Sequence, residues 1–384
     1  MINQYNIAIL TQPLHNNYGG LLQAYALKEV LKQRGHEVTI INRRTPTPSK
    51  FRLLAHQIKM KLISKTLNPK LQLTEQQKKI ISLNTDNFVN QYIPELSELI
   101  TSNHGMRNLN NQSFDAYIVG SDQCWRPIYS PKIENFFLDF AEHTKNIKRI
   151  SYAASFGTND WEFNNKQTKT CKKLLKKFDA ISVREKSAIS LVQTYFNRSD
   201  AVHVLDPTML LSREQYGNII KAQKIEKSPG SLNVYILDKN PEKEAFISNI
   251  QKQLGLKQFE VMPKKRINKD KVIGSNINDF QYPHPASWLK AFEDAEFVIT
   301  DSFHGTLFSI LYNVPFITLG NKHRGMARFE SLLETFNLSE RLVSDIQSVD
   351  IDSLLKRHIN WEEVNEIISL KRNASLNFLE KALD

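Results

Sequence analysis

The chain has 384 residues, of which 41% are hydrophobic and 24% charged, with a formal net charge of +11. That length suits two domains rather than one ordinary core, and the balance is globular rather than disordered or fibrous. No apolar run reaches the ~18–20 residues that cross a bilayer; two cysteines, Cys124 and Cys171, make no disulfide framework, so a reducing cytoplasm is the expected home.

The first residues carry no basic stretch or small-residue cleavage site, and read as a strand at Ile7–Leu10 rather than a signal peptide. A polar glycine turn at 16–20 leads into a helix predicted over Leu21–Arg34. Leu22, Ala26 and Val30 lie at helical spacing, and Gly35 stands just past the end. Glu37–Asn42 returns as a second strand. Residues 46–112, rich in Lys, Gln and Asn, read as an inserted helical and loop region that shapes acceptor access. Strand-like pieces then recur, each ending in a polar turn. They are Ala116–Val119 before Gly120-Ser121-Asp122, Ile150–Ala153, Ala180–Val183 before Arg184-Glu185, and His203–Leu205 before Asp206-Pro207.

A charged helix followed by Lys227-Ser228-Pro229-Gly230 marks a boundary near 212–231. Beyond it come a strand at Asn233–Leu237, a helix at Glu242–Leu254 and a strand at Gln258–Val261. A helix at Ala286–Asp294, strand Phe297–Thr300, helix Thr306–Tyr312 and strand Pro315–Leu319 follow, and an amphipathic helix at Trp361–Asp384 ends the chain. The alternation predicts an α/β protein with two Rossmann-like, doubly wound parallel sheets facing across a cleft. The expected domains are 1–215 and 216–384, with the terminal helix counted in the second. In such sheets ligands collect at the carboxyl ends of strands, where the polar turns lie.

Ser302 is placed to cap the helix after Phe297–Thr300, whose first-turn N–H groups make an anion site. His304, in that turn, either delivers a proton near neutral pH or only hydrogen-bonds a loop carbonyl. Between Gly320 and Phe329, Lys322, Arg324 and Arg328 place three cations in seven residues. They suit a phosphate or carboxylate clamp, or a solvated basic loop. Arg184 offers a second clamp, or a salt bridge to Glu185 or a nearby carboxylate. Asn17-Tyr18-Gly19-Gly20 opens the first helix as a ligand-approach loop would, without the dinucleotide Gly-x-Gly-x-x-Gly spacing. Asp122 can accept a hydroxyl proton and Trp125 can stack on a sugar face, unless the turn is merely capped and the tryptophan is core. Asp206-Pro207 reads as a domain-closing turn.

No histidine or cysteine spacing suits zinc, no nucleophile elbow is present, and no nucleic-acid motif accompanies the positive charge. The Lys/Arg clusters at 172–177 and 264–271 read as solvated faces or as a peripheral contact with anionic membrane.

Taken in order, several segments resemble the polysaccharide pyruvyltransferase family. They are Asn17–Leu27 (NYGGLLQAYAL), Val119–Trp125 (VGSDQCW), Ser182–Glu185 (SVRE), Asp206-Pro207, Thr300–Gly305 (TDSFHG) and Arg324–Phe329 (RGMARF). Cys124 stands where another apolar residue is usual, and 46–112 matches no motif, which leaves the acceptor open. The resemblance implies a GT-B-like fold. It also implies transfer of a pyruvyl group from phosphoenolpyruvate to two hydroxyls of a sugar, in a polysaccharide or its lipid-linked precursor, forming a cyclic ketal. Arg184 and His304 would hold the donor's carboxylate and phosphate with Ser302 and Gly305, helped by Lys322 or Arg324. His304 would act as general acid or phosphate partner, and Asp122 or Asp301 as base. Asn17, Tyr18, Gly19, Gly20, Gln123 and Trp125 would face the acceptor. The scheme calls for no metal, cofactor or nucleotide. A GT-B glycosyltransferase using a nucleotide sugar and a non-catalytic glycan-binding protein are the competing readings.

Overall fold

The computed structural model describes residues 4–46, 73–267, 272, 274–321 and 325–384. Lys322, Arg324 and residues 47–72 of the predicted insertion lie outside the described residues.

The first sheet is built from β1 (Asn6–Leu10), β2 (Glu37–Ile40), β3 (Ala116–Val119), β4 (Lys148–Ala154), β5 (Ala180–Val183) and β6 (Val202–His203). Its order is β2-β1-β3-β4-β5-β6. The second holds β7 (Leu232–Tyr235), β8 (Gln258–Phe259), β9 (Phe297–Thr300), β10 (Phe316–Leu319) and β11 (Leu342–Val343), in the order β11-β10-β9-β7-β8. All the pairings are parallel. Residues 7–10, β3, β9 and β10 are buried throughout, as continuous apolar runs must be when helices cover both faces of a sheet. In each sheet the chain starts in one direction and then reverses, at β1/β3 in the first and β7/β9 in the second. A crevice opens at the carboxyl ends of such a reversal.

The first helix, α1 (Tyr18–Gln33), begins three residues before its predicted start, with Asn17 in extended conformation and the Leu21 N–H closing the turn onto the Asn17 carbonyl. Gly19 and Gly20 are therefore helical residues, not loop residues. Next come α2 (Glu75–Tyr92), started by a Thr74/Gln77 capping box, and α3 (Asn103–Asn108). They are followed by α4 (Asn165–Leu175), α5 (Lys186–Phe196), α6 (Arg213–Ala222), α7 (Pro241–Leu254) and α8 (Pro285–Asp294). The last four are α9 (Phe303–Leu311), α10 (Ala327–Thr335), α11 (Ile351–Lys356) and α12 (Trp361–Leu383). Among the described residues no helix is long and apolar enough to cross a membrane.

The two halves are joined through apolar packing. Tyr18 of α1 is fully buried, stacks on Trp288 of α8 with ring centres 5.7 Å apart, and donates its hydroxyl to the Pro283 carbonyl at 3.0 Å. The terminal helix α12 follows the second half in sequence but lies on the first. Ser375 Oγ accepts the Leu205 N–H, Arg372 donates to the Met209 and Leu211 carbonyls, and Glu380 pairs with Arg34. Chain order and packing part company at this helix, because its apolar stripe covers the first sheet.

Candidate active site

The two crevices face each other across a cavity of about 390 Å³. Its walls include Asn17 and Gln123 from the first half, and Ser302, His304 and Arg328 from the second. Each comes from the carboxyl end of a strand or the helix start that follows one.

The turn after β3 is held by α1. Gln23, buried on the inner face of α1, accepts the Ser121 N–H at 3.0 Å and donates to Thr11 Oγ1, which itself donates to the Ser121 carbonyl. Asp122 then adopts a positive φ of 67°, which aspartate tolerates better than most residues, and its carboxylate accepts its neighbour's Gln123 N–H at 2.8 Å.

After β9, Ser302 caps α9 by accepting the Gly305 N–H. The N–H groups of Phe303 and His304 have no acceptor within the helix, so the positive end of α9 opens on the cavity. Gly305 is required for packing: a Cβ there would lie 2.2 Å from Thr300 Oγ1.

The centre of the site is Asp206. Its Oδ2 accepts Arg184 Nη1 at 2.8 Å and lies 3.6 Å from His304 Nε2, while Oδ1 accepts the Thr208 N–H and hydroxyl. Burial alone would push this carboxyl up, but His304 and Arg184 together hold it well below the usual carboxylate range. Asp206 is thus an ionised partner that holds both the Arg184 and His304 side chains, not only a turn residue. Arg184 also reaches Asp122 Oδ1 at 3.4 Å, and Glu185 turns away to accept Ser155 Oγ and the N–H groups of Phe156 and Gly157. The salt-bridge alternative for Arg184 is met by Asp206 and Asp122, nearby carboxylates, and not by Glu185.

Arg184 and Arg328 both place their guanidinium groups over the Phe303 ring, 4.5 and 5.5 Å from its centre. Arg328 belongs to α10 and is buried, so this cation sits on a helix start rather than in a solvated loop. Burial, and the neighbouring Arg184, lower the Arg328 guanidinium to about 10, still charged at neutral pH. Arg328 lines the cavity beside the N-terminus of α9 and favours an anion there, whereas Arg184 is buried outside the cavity lining and paired with Asp206 and Asp122.

Three expectations change. Trp125 is fully buried, stacked on Phe137 with its Nε1 donating to the Phe136 carbonyl, so it holds the core and presents no face to a sugar. Tyr18 likewise faces the joint, not the cavity. Asp301 stands at the cavity edge with a fully engaged carboxylate: it pairs with Lys243 Nζ at 2.7 Å and accepts the Leu237 and Asp238 N–H groups. Gly19 and Gly20 reach the site indirectly. A Cβ on Gly19 would strike the His304 ring, and one on Gly20 would crowd the Asn17 amide. The roles of Asp206, Arg328 and Gln23 depend on contacts between distant segments; only their places in the ordered motifs hinted at them.

Among the described residues, no three His, Cys, Asp or Glu side chains are grouped so as to hold a metal ion.

A family profile described as polysaccharide pyruvyl transferase matches residues 17–323. No curated protein sequence is significantly similar. Among solved structures, Arabidopsis thaliana UGT89C1 complexed with UDP-L-rhamnose superposes with a TM-score of 0.52 at 11% identity, covering 99% of this chain and 100% of that one. UDP-GlcNAc 2-epimerase from Neisseria meningitidis, bound to UDP-GlcNAc, gives 0.51 at 11% identity, covering 98% and 99%. A Listeria monocytogenes protein described as a UDP-N-acetylglucosamine 2-epimerase gives 0.51 at 10% identity, covering 95% and 91%. These likenesses show a two-domain GT-B-like α/β fold.

Proposed function

Because the chain belongs to the polysaccharide pyruvyl transferase family and is a transferase, we propose that it moves a pyruvyl group from phosphoenolpyruvate to two hydroxyls of one sugar, closing a cyclic ketal. In this reading residues 1–215 supply the acceptor side and 216–384 much of the donor site, with the last helix docked back on the first sheet.

The observation that carries the reading is the pairing of Arg184 and Arg328 over Phe303, next to the start of α9 and the Asp206–His304 contact. Phosphoenolpyruvate bears a carboxylate and a phosphate on one small carbon skeleton. The Arg328 guanidinium and the N-terminus of α9 on the cavity wall match that double charge, with Arg184 held close by through Asp206 and Asp122. Lys322 and Arg324 remain candidates for a further cation at the phosphate. Ser302 and Gly305 shape the helix start, and Asn17 and Gln123 face the acceptor.

Chemistry then follows from what these groups can hold or move. Asp206 lies against Nε2 of His304, which leaves Nδ1 to meet the donor. A proton passed from His304 to the methylene carbon of phosphoenolpyruvate leaves an oxocarbenium-like carbon between carboxylate and phosphate. A sugar hydroxyl adds to that carbon and gives up its proton to Asp122, which lines the cavity. The carbon–oxygen bond to phosphate then breaks, inorganic phosphate departs, and a second hydroxyl of the same sugar adds and loses its proton. One phosphoenolpyruvate and one diol thus yield one ketal and one phosphate. General acid–base help of this kind is worth roughly 10²–10⁴-fold. We assign Asp301 to holding the loop after β7 rather than to proton transfer, since Lys243 and two backbone N–H groups already occupy its oxygens.

Donor comparison tests the proposal. Incubation with a saccharide pool should release inorganic phosphate from phosphoenolpyruvate and no nucleoside diphosphate from UDP-sugars. The reverse pattern would assign a glycosyltransferase instead.

A further inference from the structure

We propose that the groove between α2 and the second half binds the neutral sugar units flanking the reacting one, so that the enzyme grips an oligosaccharide rather than a single sugar. The groove measures about 580 Å³, and five of its lining side chains are carboxamides: Asn84, Asn87, Asn90, Gln91 and Gln223. Ile225 and His284 complete the lining. His284 has its pKa lowered by burial, and its Nδ1 accepts the Ala286 N–H.

A chain of net charge +11 has thus kept one groove without a formal charge. Phosphates, carboxylates, nucleic acid and anionic lipid find no counter-ion there. A carboxamide both donates and accepts, as does a sugar hydroxyl, so a row of amides matches a row of hydroxyls with no desolvated charge on either side. The row is built by helical periodicity: Asn84, Asn87 and Gln91 fall three and four apart on one face of α2, while Ile81, Thr85, Phe88 and Val89 bury the other.

Part of the groove is already fixed. Asn84 donates to the Tyr282 carbonyl at 2.8 Å, and Gln223 Nε2 donates to Gln91 Oε1 at 2.8 Å across the junction of the two halves. The exposed side chains of Asn87 and Asn90 have no partner among the described residues.

Groove and cavity share a wall. Tyr282 lines the cavity while its carbonyl anchors Asn84, and Thr85 Oγ1 donates at 2.6 Å to Asn16, another cavity residue. A saccharide leaving the cavity over Tyr282 reaches the amides next. The pyruvyl-transfer reading supplies the sugar in the cavity, but the groove's preference for neutral hydroxyls rests on its own residues.

The test is a titration of the full chain with neutral hexose and N-acetylhexosamine oligosaccharides, from monosaccharide to hexasaccharide, followed by calorimetry and by the side-chain amide signals in NMR. Affinity should rise with length by about tenfold or more, a change of roughly 1.4 kcal/mol per decade. The double variant Asn87→Leu/Asn90→Leu should lose that gain at an unshifted melting temperature. A series without a length-dependent gain, or a gain the variant retains, overturns the inference. If the gain is present and lost in the variant while phosphoenolpyruvate is not turned over, the groove stands and the pyruvyl reading falls. Turnover without a length-dependent gain removes the groove and leaves pyruvyl transfer in place.

Discussion

A Cβ on Gly19 would lie 2.0 Å from Nδ1 of His304, so the opening turn of α1 and the opening turn of α9 touch at these two residues. One comes from the first half and the other from the second. The glycine thereby sets how closely the halves can approach at the point where the imidazole works.

Gly19→Ala should therefore displace His304 while leaving both sheets intact. Misplacement by an ångström can cost about 10²-fold in rate. Steady-state kinetics should show a loss in kcat of that order, with circular dichroism unchanged.

Removing the Asp206 carboxylate leaves Arg184 with only its longer contact to Asp122. Breaking one partner out of a buried pair costs about 3–5 kcal/mol, so Asp206→Ala should lower the melting temperature sharply, and Asp206→Asn less so. Acid should erase the difference. The folded carboxyl is held below its unfolded value, so its contribution to stability is full above about pH 4 and fades as the pH falls further into the acid range. Melting curves of wild type and Asp206→Asn should diverge at neutral pH and converge in strong acid.

Asp122 and Asp301 should separate by readout. Asp122→Asn should lose roughly 10²–10⁴-fold in kcat with little change in melting temperature. Asp301→Asn should instead lower the melting temperature, because it weakens a buried pair with Lys243.

Trp125→Ala should behave as a core truncation. It should cost about 3–5 kcal/mol by denaturant unfolding, with no change in acceptor KM for the fraction that stays folded. A raised acceptor KM at full stability would return Trp125 to the sugar site.

Much of the architecture was legible in the sequence because parallel strands buried on both faces are continuous apolar runs. Ala116–Val119, Ala180–Val183 and Phe297–Thr300 appear as read. Helix starts were less legible. α1 begins three residues before its apolar period, because its glycines are chosen for the site rather than for amphipathicity, whereas Ser302 marked the start of α9 as read. The burial of Trp125 could not be read locally, since Phe137 and Phe156, which enclose it, come from later segments. Arg328 was visible as a charge, but its place over Phe303 depends on the packing of α10. Asp206 looked like a turn because its partners, Arg184 and His304, lie 22 and 98 residues away in sequence.

Mass spectrometry of a saccharide pool incubated with the protein and phosphoenolpyruvate tests pyruvyl transfer most directly. The expected result is a mass gain on one saccharide equal to a single pyruvyl ketal, with one phosphate released per ketal and neither product formed by His304→Ala. A pool left unchanged by phosphoenolpyruvate but lengthened by one sugar from a nucleotide-sugar donor would contradict it.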